Sequence, residues 1–192
     1  MAATRETGSR LTAAAFMDWY EAQPPGRRYE LLDGVVYEMQ AERLIHARTK
    51  AWVHAVLGQQ IGAKGLPCEA LPDGMAVLVD EETVFKPDAT VRCGPPLPDD
   101  TILLLDPLIV VEVALPSSQR VDVLEKFSRY FCNPHIVHYL IVVPTARIVI
   151  HHKRTAGDRI EAKSYESGAV PLDPPGFELA LADLFPDEPV AD

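Results

Sequence analysis

Three cysteines in 192 residues, Cys68, Cys93 and Cys132, are an odd number with no Cys-x-x-Cys spacing. Neither a disulfide framework nor a zinc site is signalled. No apolar run reaches the ~20 residues needed to cross a bilayer. The stretch from Met1 to Arg10 is polar and has no apolar segment of a secretory signal. These absences predict a cytoplasmic protein with no membrane partner. No internal repeat and no linker is visible, which predicts one domain over residues 1–192 with residues 1–10 and 186–192 as flexible termini. Positive charge is scarce too: 18 Lys and Arg against 28 Asp and Glu give a formal net charge of −10. This argues against strong non-specific binding of nucleic acid by the whole surface, because phosphate affinity comes from local Lys and Arg density.

What is present suits a soluble globular domain. Apolar residues make up 47% of the chain and charged residues 24%, an ordinary balance that argues for a single packed core. The sparse basic residues are gathered in places. Arg43, His46, Arg48, Lys50, His54 and Lys64 stand against the single acid Glu42, and Arg147, His151, His152, Lys153 and Arg154 form a second group. Solvated faces are the plain reading of both groups. They permit a phosphate partner, with Arg48 and Lys50 as candidate contacts, without demanding one.

Local patterns divide the chain. Thr12 can cap a helix through Tyr20, which Pro24-Pro25-Gly26 stops. Tyr29 to Leu32 and Val35 to Met39 flank Asp33-Gly34, a pair suited to a turn with positive φ at both central positions. A helix is predicted from about Glu42 to Ile61, then strands over Met75 to Val79 and Thr83 to Val91. A Pro-rich loop follows from Cys93 to Asp100. Ser117 or Ser118 can cap a helix to about Phe131, and Val137 to Val143 with Arg147 to His151 read as a second hairpin around Pro144. The acidic, Pro-containing C-terminal part is expected to lie on the surface as a strap.

One carboxylate stands out. The run Leu108-Ile109-Val110-Val111 continues through Glu112 into Val113 and Ala114, and such a run reads as a central strand covered on both faces. An ionised carboxylate there costs several kcal/mol unless a cation, a metal or hydrogen-bond donors meet it. Alternation places Lys86, Asp88, Thr90 and Arg92 on one face of their strand, and Leu108, Val110, Glu112 and Ala114 on one face of theirs. If the two strands are neighbours, Asp88 and Glu112 converge and offer the hard oxygen ligands that Mg²⁺ or Mn²⁺ takes alongside water and phosphate oxygens. Such a metal assists phosphodiester hydrolysis, with a nearby lysine orienting water or stabilising developing charge. Asp122, Lys126 and Tyr130 recur at intervals of four and share a helical stripe that can face the sheet. The plainer alternatives are an exposed Asp122–Lys126 pair worth ~0.3 to 0.5 kcal/mol, a strand-start acid at Asp88, and a Glu112 satisfied by Arg or backbone donors. His46 can face the site, but a lone His on an amphipathic helix is more often a surface or packing residue. His151 and His152, as strand neighbours, cannot both face one metal.

In order along the chain, Tyr29-Glu30-Leu31-Leu32-Asp33-Gly34, His46, Pro87-Asp88, Val111-Glu112-Val113, Pro116-Ser117, and Asp122 and Lys126 with Tyr130 together resemble the Uma family of bacterial endonucleases. The likeness runs from about Leu11 to Phe185. It implies an α/β, restriction-endonuclease-like PD-(D/E)xK fold, a central mixed sheet flanked by helices. It further implies Asp88 and Glu112 as metal-binding acids, Lys126 as the catalytic lysine moved from strand to helix, and Glu30 as a further acid. By the same likeness the activity is Mg²⁺- or Mn²⁺-dependent hydrolysis of nucleic acid, DNA first, by a homodimer. The chain departs from the pattern in three places. Ala114 stands two residues after Glu112, where the wider superfamily places its lysine, and Leu115 and His138-Tyr139 also differ. With those altered flanks and the net acidity, a non-catalytic binding or assembly protein that keeps the nuclease fold is the competing expectation.

Overall fold

The computed structural model describes residues 4–5, 10–39, 41–114 and 126–185. The predicted terminus 186–192, residues 1–3 and 6–9 of the other, the Ser117/Ser118 cap, Leu115 and Asp122 lie outside them, while Thr4 and Arg5 of the terminus expected to be flexible pair with Glu38 and Tyr37. In chain order the elements are β1 (Thr4–Arg5), α1 (Ala13–Glu21), β2 (Tyr29–Leu32), β3 (Val35–Glu38), α2 (Leu44–Lys64), β4 (Cys68–Pro72), β5 (Ala76–Asp80), β6 (Thr83–Phe85), β7 (Ala89–Cys93), β8 (Leu103–Leu104) and β9 (Ile109–Val113). A helical stretch over residues 126–130, here α3, follows. The chain then forms β10 (His138–Val143), β11 (Ile148–Arg154), β12 (Ile160–Tyr165), β13 (Ala169–Leu172), β14 (Phe177–Ala180) and α4 (Leu181–Leu184).

The expected α/β class holds, with strands divided between two six-stranded sheets and a small hairpin. The first sheet runs β1-β3-β2-β6-β5-β8, the second β12-β11-β10-β9-β7-β4, and β13 pairs with β14. In the first sheet, Asp33 and Gly34 take φ values of 50° and 73°, as the β2–β3 hairpin requires. Thr12 caps α1 by accepting a hydrogen bond from the Ala15 amide, and Phe16 and Met17 pack on Tyr29, Leu31 and Val84. The second sheet is mixed: β9 is parallel to β10 and antiparallel to β7. Ile109, Val111 and Val113 face a core closed by Val53, Val56, Leu57 and Ile61 of α2, while Val110 and Ala114 face a second core with Tyr130, Tyr139 and Phe85. Full burial of a side chain such as Leu57 is worth about 1.5–3 kcal/mol.

Three expectations fail. The strand expected over Thr83 to Val91 is two strands, since Lys86-Pro87-Asp88 interrupts it: β6 belongs to the first sheet and β7 to the second. Pro87 has no N–H to give a ladder, and the Lys86 amide bonds the Glu30 Oε1 at 2.8 Å instead of a strand carbonyl. The C-terminal part is no surface strap. Val170, Leu172, Phe177, Leu179, Leu181 and Leu184 sit inside the core between α2 and the second sheet, because β13 and β14 alternate apolar and polar residues and turn the apolar set inward. The cysteines also differ from expectation. Cys68 and Cys93, absent from any spacing motif, are register partners on β4 and β7 and form a disulfide, while Cys132 is free and exposed. A cross-strand contact between cysteines 25 residues apart leaves no local spacing to read, and cysteine usage therefore lends no support to a reducing compartment. No helix among the described residues is long and apolar enough to cross a membrane.

Candidate active site

Asp88 sits where the chain passes from one sheet to the other. Its amide donates to Val111 O at 3.0 Å, and its Oδ2 accepts from the Val113 amide at 2.6 Å. With Ala89 opposite Val111 in the antiparallel β7–β9 register, Asp88 comes beside Glu112, as alternation on neighbouring strands predicts. From the first sheet, Glu30 of β2 points at the same place. From α3, the Lys126 Nζ donates to Glu30 Oε1 at 2.9 Å and to Glu112 Oε1 at 3.1 Å. Tyr130, one turn on, gives its hydroxyl proton to Glu112 Oε1 at 2.6 Å. Lys126 thus bridges two acids drawn from two sheets, and the exposed-pair alternative for it does not hold: its side chain is 11% exposed.

The electrostatics follow from crowding. Burial pushes the Glu112 carboxyl up to about 8, Lys126 pulls the other way, and the charges of Asp88 and Glu30 add to the rise. Burial, reinforced by Glu112, holds the Tyr130 hydroxyl well above its usual range, so it keeps the proton that it donates.

A second group of charges borders the first. Glu42 and, on α2, His46 and Lys50 lie at intervals of four on one stripe. Both ring nitrogens of His46 face acceptors: Nδ1 is 3.0 Å from Glu42 Oε2, and Nε2 is 2.7 Å from Val113 O and 3.4 Å from Asp88 Oδ2. The ring is therefore a double donor. Burial opposes its charge, but the bonds and charges of Asp88 and Glu42 outweigh burial and raise it to about 9. The buried Lys50 ammonium pairs with Asp73, with Glu42 at 2.6 Å and with Asp88 Oδ1 at 3.7 Å, and Arg28 Nη1 meets Asp73 at 2.8 Å and Glu42 at 3.2 Å. Burial pushes the Glu42 and Asp73 carboxyls up, yet the bonds from Lys50 and from His46 or Arg28 hold both below the ordinary carboxylate range.

Of the residues singled out from sequence, Glu30, Asp88, Glu112, Lys126, His46 and Lys50 are brought together. Arg48 is exposed on α2, away from this cluster. Lys50 is spent on carboxylates inside the protein and is no surface phosphate contact. Arg28, Glu42 and Asp73 escaped the sequence reading. The stripe Glu42-His46-Lys50 was the available signal for Glu42, whereas Arg28 and Asp73 arrive from loops with no pattern to announce them. The second basic group is structural: the Arg154 guanidinium donates to Phe131 O, Asn133 O and Ile136 O. His151 bonds His138 and His152 packs tilted against Phe127, on opposite faces as expected.

The donor set suits a hard divalent cation. Among the described residues no group of three or more His, Cys, Asp and Glu is arranged to hold a metal ion. Protein ligation would thus come from the two carboxylates of Asp88 and Glu112, with water and substrate completing the shell, the coordination that Mg²⁺ favours. A cation there would also relieve the crowding that raises Glu112.

Comparison with known proteins bears on the family and the fold. An uncharacterized protein of Synechocystis sp. is 26% identical over 178 residues, 92% of either chain. A solved structure from Anabaena variabilis, described as a "putative nuclease belonging to DUF820", superposes with a TM-score of 0.70 at 15% identity and covers 91% of this chain and 97% of that one; at that identity it speaks for the fold alone. The Uma2 family, described as "Putative restriction endonuclease", matches residues 13–184, nearly the whole chain, and the protein therefore belongs to the Uma2 family.

Proposed function

We propose that this protein is a metal-dependent endonuclease that hydrolyses phosphodiester bonds of nucleic acid, with DNA as its substrate. The observation that carries the reading is the convergence of Asp88 and Glu112 beside a lysine, Lys126, that bridges Glu112 to Glu30. Asp88 and Glu112 would hold Mg²⁺ or Mn²⁺, which when bound polarises a phosphoryl oxygen and lowers the pKa of bound water. Lys126 supplies a fixed positive charge at the edge of the acid pair, where negative charge develops on the phosphate. Glu30 holds the Lys126 ammonium in place and is itself fixed by the Lys86 amide. The buried Tyr130 hydroxyl orients the Glu112 carboxylate. His46, a double donor, and the Val113 amide orient Asp88. Pairing of two copies would give one site for each strand of a duplex.

Mn²⁺ titration by calorimetry, followed by plasmid cleavage over the same metal range, tests the reading. Saturable binding and metal-dependent nicking are expected from the native chain, and Asp88→Asn should lose both. Native protein that binds no Mn²⁺ would mark the fold as a binding or assembly scaffold.

A further inference from the structure

The second sheet ends on β12, and this edge is unlike the other three. At the two ends of the first sheet, β1 and β8 are two residues each, and β4 at the far end of the second sheet carries Pro72. Short strands and proline keep a sheet edge from pairing with another chain. By contrast β12 is six residues long, Ile160–Tyr165, holds neither Pro nor Gly, and pairs with β11 in one unbroken register. Nothing among the described residues pairs with its outer side, and Glu161, Ala162, Lys163 and Ser164 are exposed.

Charge selects the occupant. Charged side chains on an edge strand ordinarily deter pairing as well, but their order here favours it. Glu161 and Lys163 are two residues apart and share a face. When two antiparallel copies of β12 meet about a two-fold axis at Ala162, Ala162 faces Ala162, Ile160 faces Ser164, and Glu161 of each copy faces Lys163 of the other. Moving the axis by one residue brings like charges together. An axis at Glu161 sets Glu161 against Glu161 and Lys163 against Arg159, and an axis at Lys163 sets Lys163 against Lys163. Within the chain Lys163 lies over the Tyr165 ring at 4.5 Å, and neither it nor Glu161 enters an ion pair among the described residues.

We propose that β12 is the pairing surface for a second copy of this chain, which adds antiparallel about a two-fold axis at Ala162 and joins the second sheets of both copies edge to edge. Because each copy offers the same edge, the pairing closes at a dimer and does not propagate. The contact is one strand wide, which places it in the small, weak class of interfaces. Glu112 lies on β9, three strands in from this edge, so the acid cluster of each copy is left open. The inference stands apart from the nuclease reading, since it draws on no residue of that cluster.

Sedimentation equilibrium over a concentration series is the test, with hydrogen exchange of the β12 amides followed in parallel. The native chain is expected to dimerise, and exchange in β12 to slow as the dimer forms. Glu161→Lys and Lys163→Glu each turn both symmetric pairs repulsive, so either variant alone should associate roughly tenfold or more weakly. Both positions are exposed, and thermal melting of the variants checks that the fold is intact. Mixed in equal amounts, the two variants again set opposite charges across the axis and should recover native affinity as a heterodimer. The double reversal, Glu161→Lys with Lys163→Glu, should recover it as a homodimer. A native chain that stays monomeric at its highest soluble concentration overturns the proposal. So does a dimer that neither single reversal weakens, a mixture of the two variants that stays monomeric, or a dimer whose β12 amides exchange at the monomer rate.

Discussion

Replacing Glu112 by Gln separates a metal ligand from a structural anion, and the structure sets the size of the effect. In the metal-free protein the Glu112 carboxyl is pushed up to about 8 from an ordinary 4.5 by burial and by the nearby charges of Asp88 and Glu30. Between those two values the folded chain holds a proton that the unfolded chain has released. Stability therefore falls as pH rises through this window, by about 1.4 kcal/mol per pH unit from this group. From pH 5.5 to 7.5 the native protein should lose ~3 kcal/mol that Glu112→Gln does not lose, a divergence of roughly 6–12 °C in melting temperature for a chain of this size. Gln keeps the shape and an acceptor for Tyr130 and Lys126, and Lys126 keeps Glu30 at 2.9 Å, so no cation is stranded. Urea unfolding of both proteins in EDTA at the two pH values is the assay, repeated with saturating Mn²⁺, which should stabilise only the native chain. Parallel pH profiles would refute the argument that Glu112 is held protonated. A loss of ~3–5 kcal/mol by Glu112→Gln at both pH values would make Glu112 the anion of a structural pair.

Lys126→Met keeps the aliphatic stem and removes the charge between Glu30 and Glu112; turnover should fall by a factor on the order of a hundred or more while calorimetric Mn²⁺ binding persists, and unchanged turnover would remove Lys126 from the chemistry. For His46, raised to about 9 from 6.5, the sign is opposite to that of Glu112: its stabilisation is complete below pH 6.5 and lost as pH climbs through 9. His46→Ala should therefore cost about 3 kcal/mol at pH 6 from this linkage, with the difference from the native chain shrinking by that amount towards pH 9.5 in denaturant titrations. The Cys68–Cys93 bond closes a loop of 25 residues, and converting both to Ser should lower stability by roughly 3 kcal/mol; dithiothreitol should destabilise the native chain comparably and leave the double variant unmoved.

The sequence exposed the centre of the site more clearly than its surroundings. Glu112 was legible because a charge inside a seven-residue apolar run breaks a strong pattern, and Asp88 followed once its strand was set beside that run. The Asp33-Gly34 turn and the Thr12 cap were equally plain, since each depends on two or three adjacent residues. What stayed hidden depends on distance along the chain. Pro87 was visible, yet that the strand would cross to another sheet there is decided by Glu30 capturing the Lys86 amide from 56 residues away. Lys50 reads as a surface cation on a basic helix until Asp73 and Glu42 close around it. The C-terminal strands were missed because each is short and punctuated by Pro, Gly and acids, and their apolar residues show their purpose only when laid on α2.

That last placement bears on how the protein is made. Every residue assigned to the acid cluster lies between Glu30 and Tyr130, yet the core beneath β7 and β9 is closed by Val170, Leu172, Phe177 and Leu179. A nascent chain still lacking residues after Tyr165 already holds every residue of the acid cluster and lacks part of the wall behind them. The ribosome must release residues 170–185 before α2 has its second partner, and with it the positions of His46 and Lys50. Translation thus delays the assembly of the acid cluster until the segment from Val170 to Leu184 docks, and a prematurely terminated product carries the acids without the scaffold to aim them.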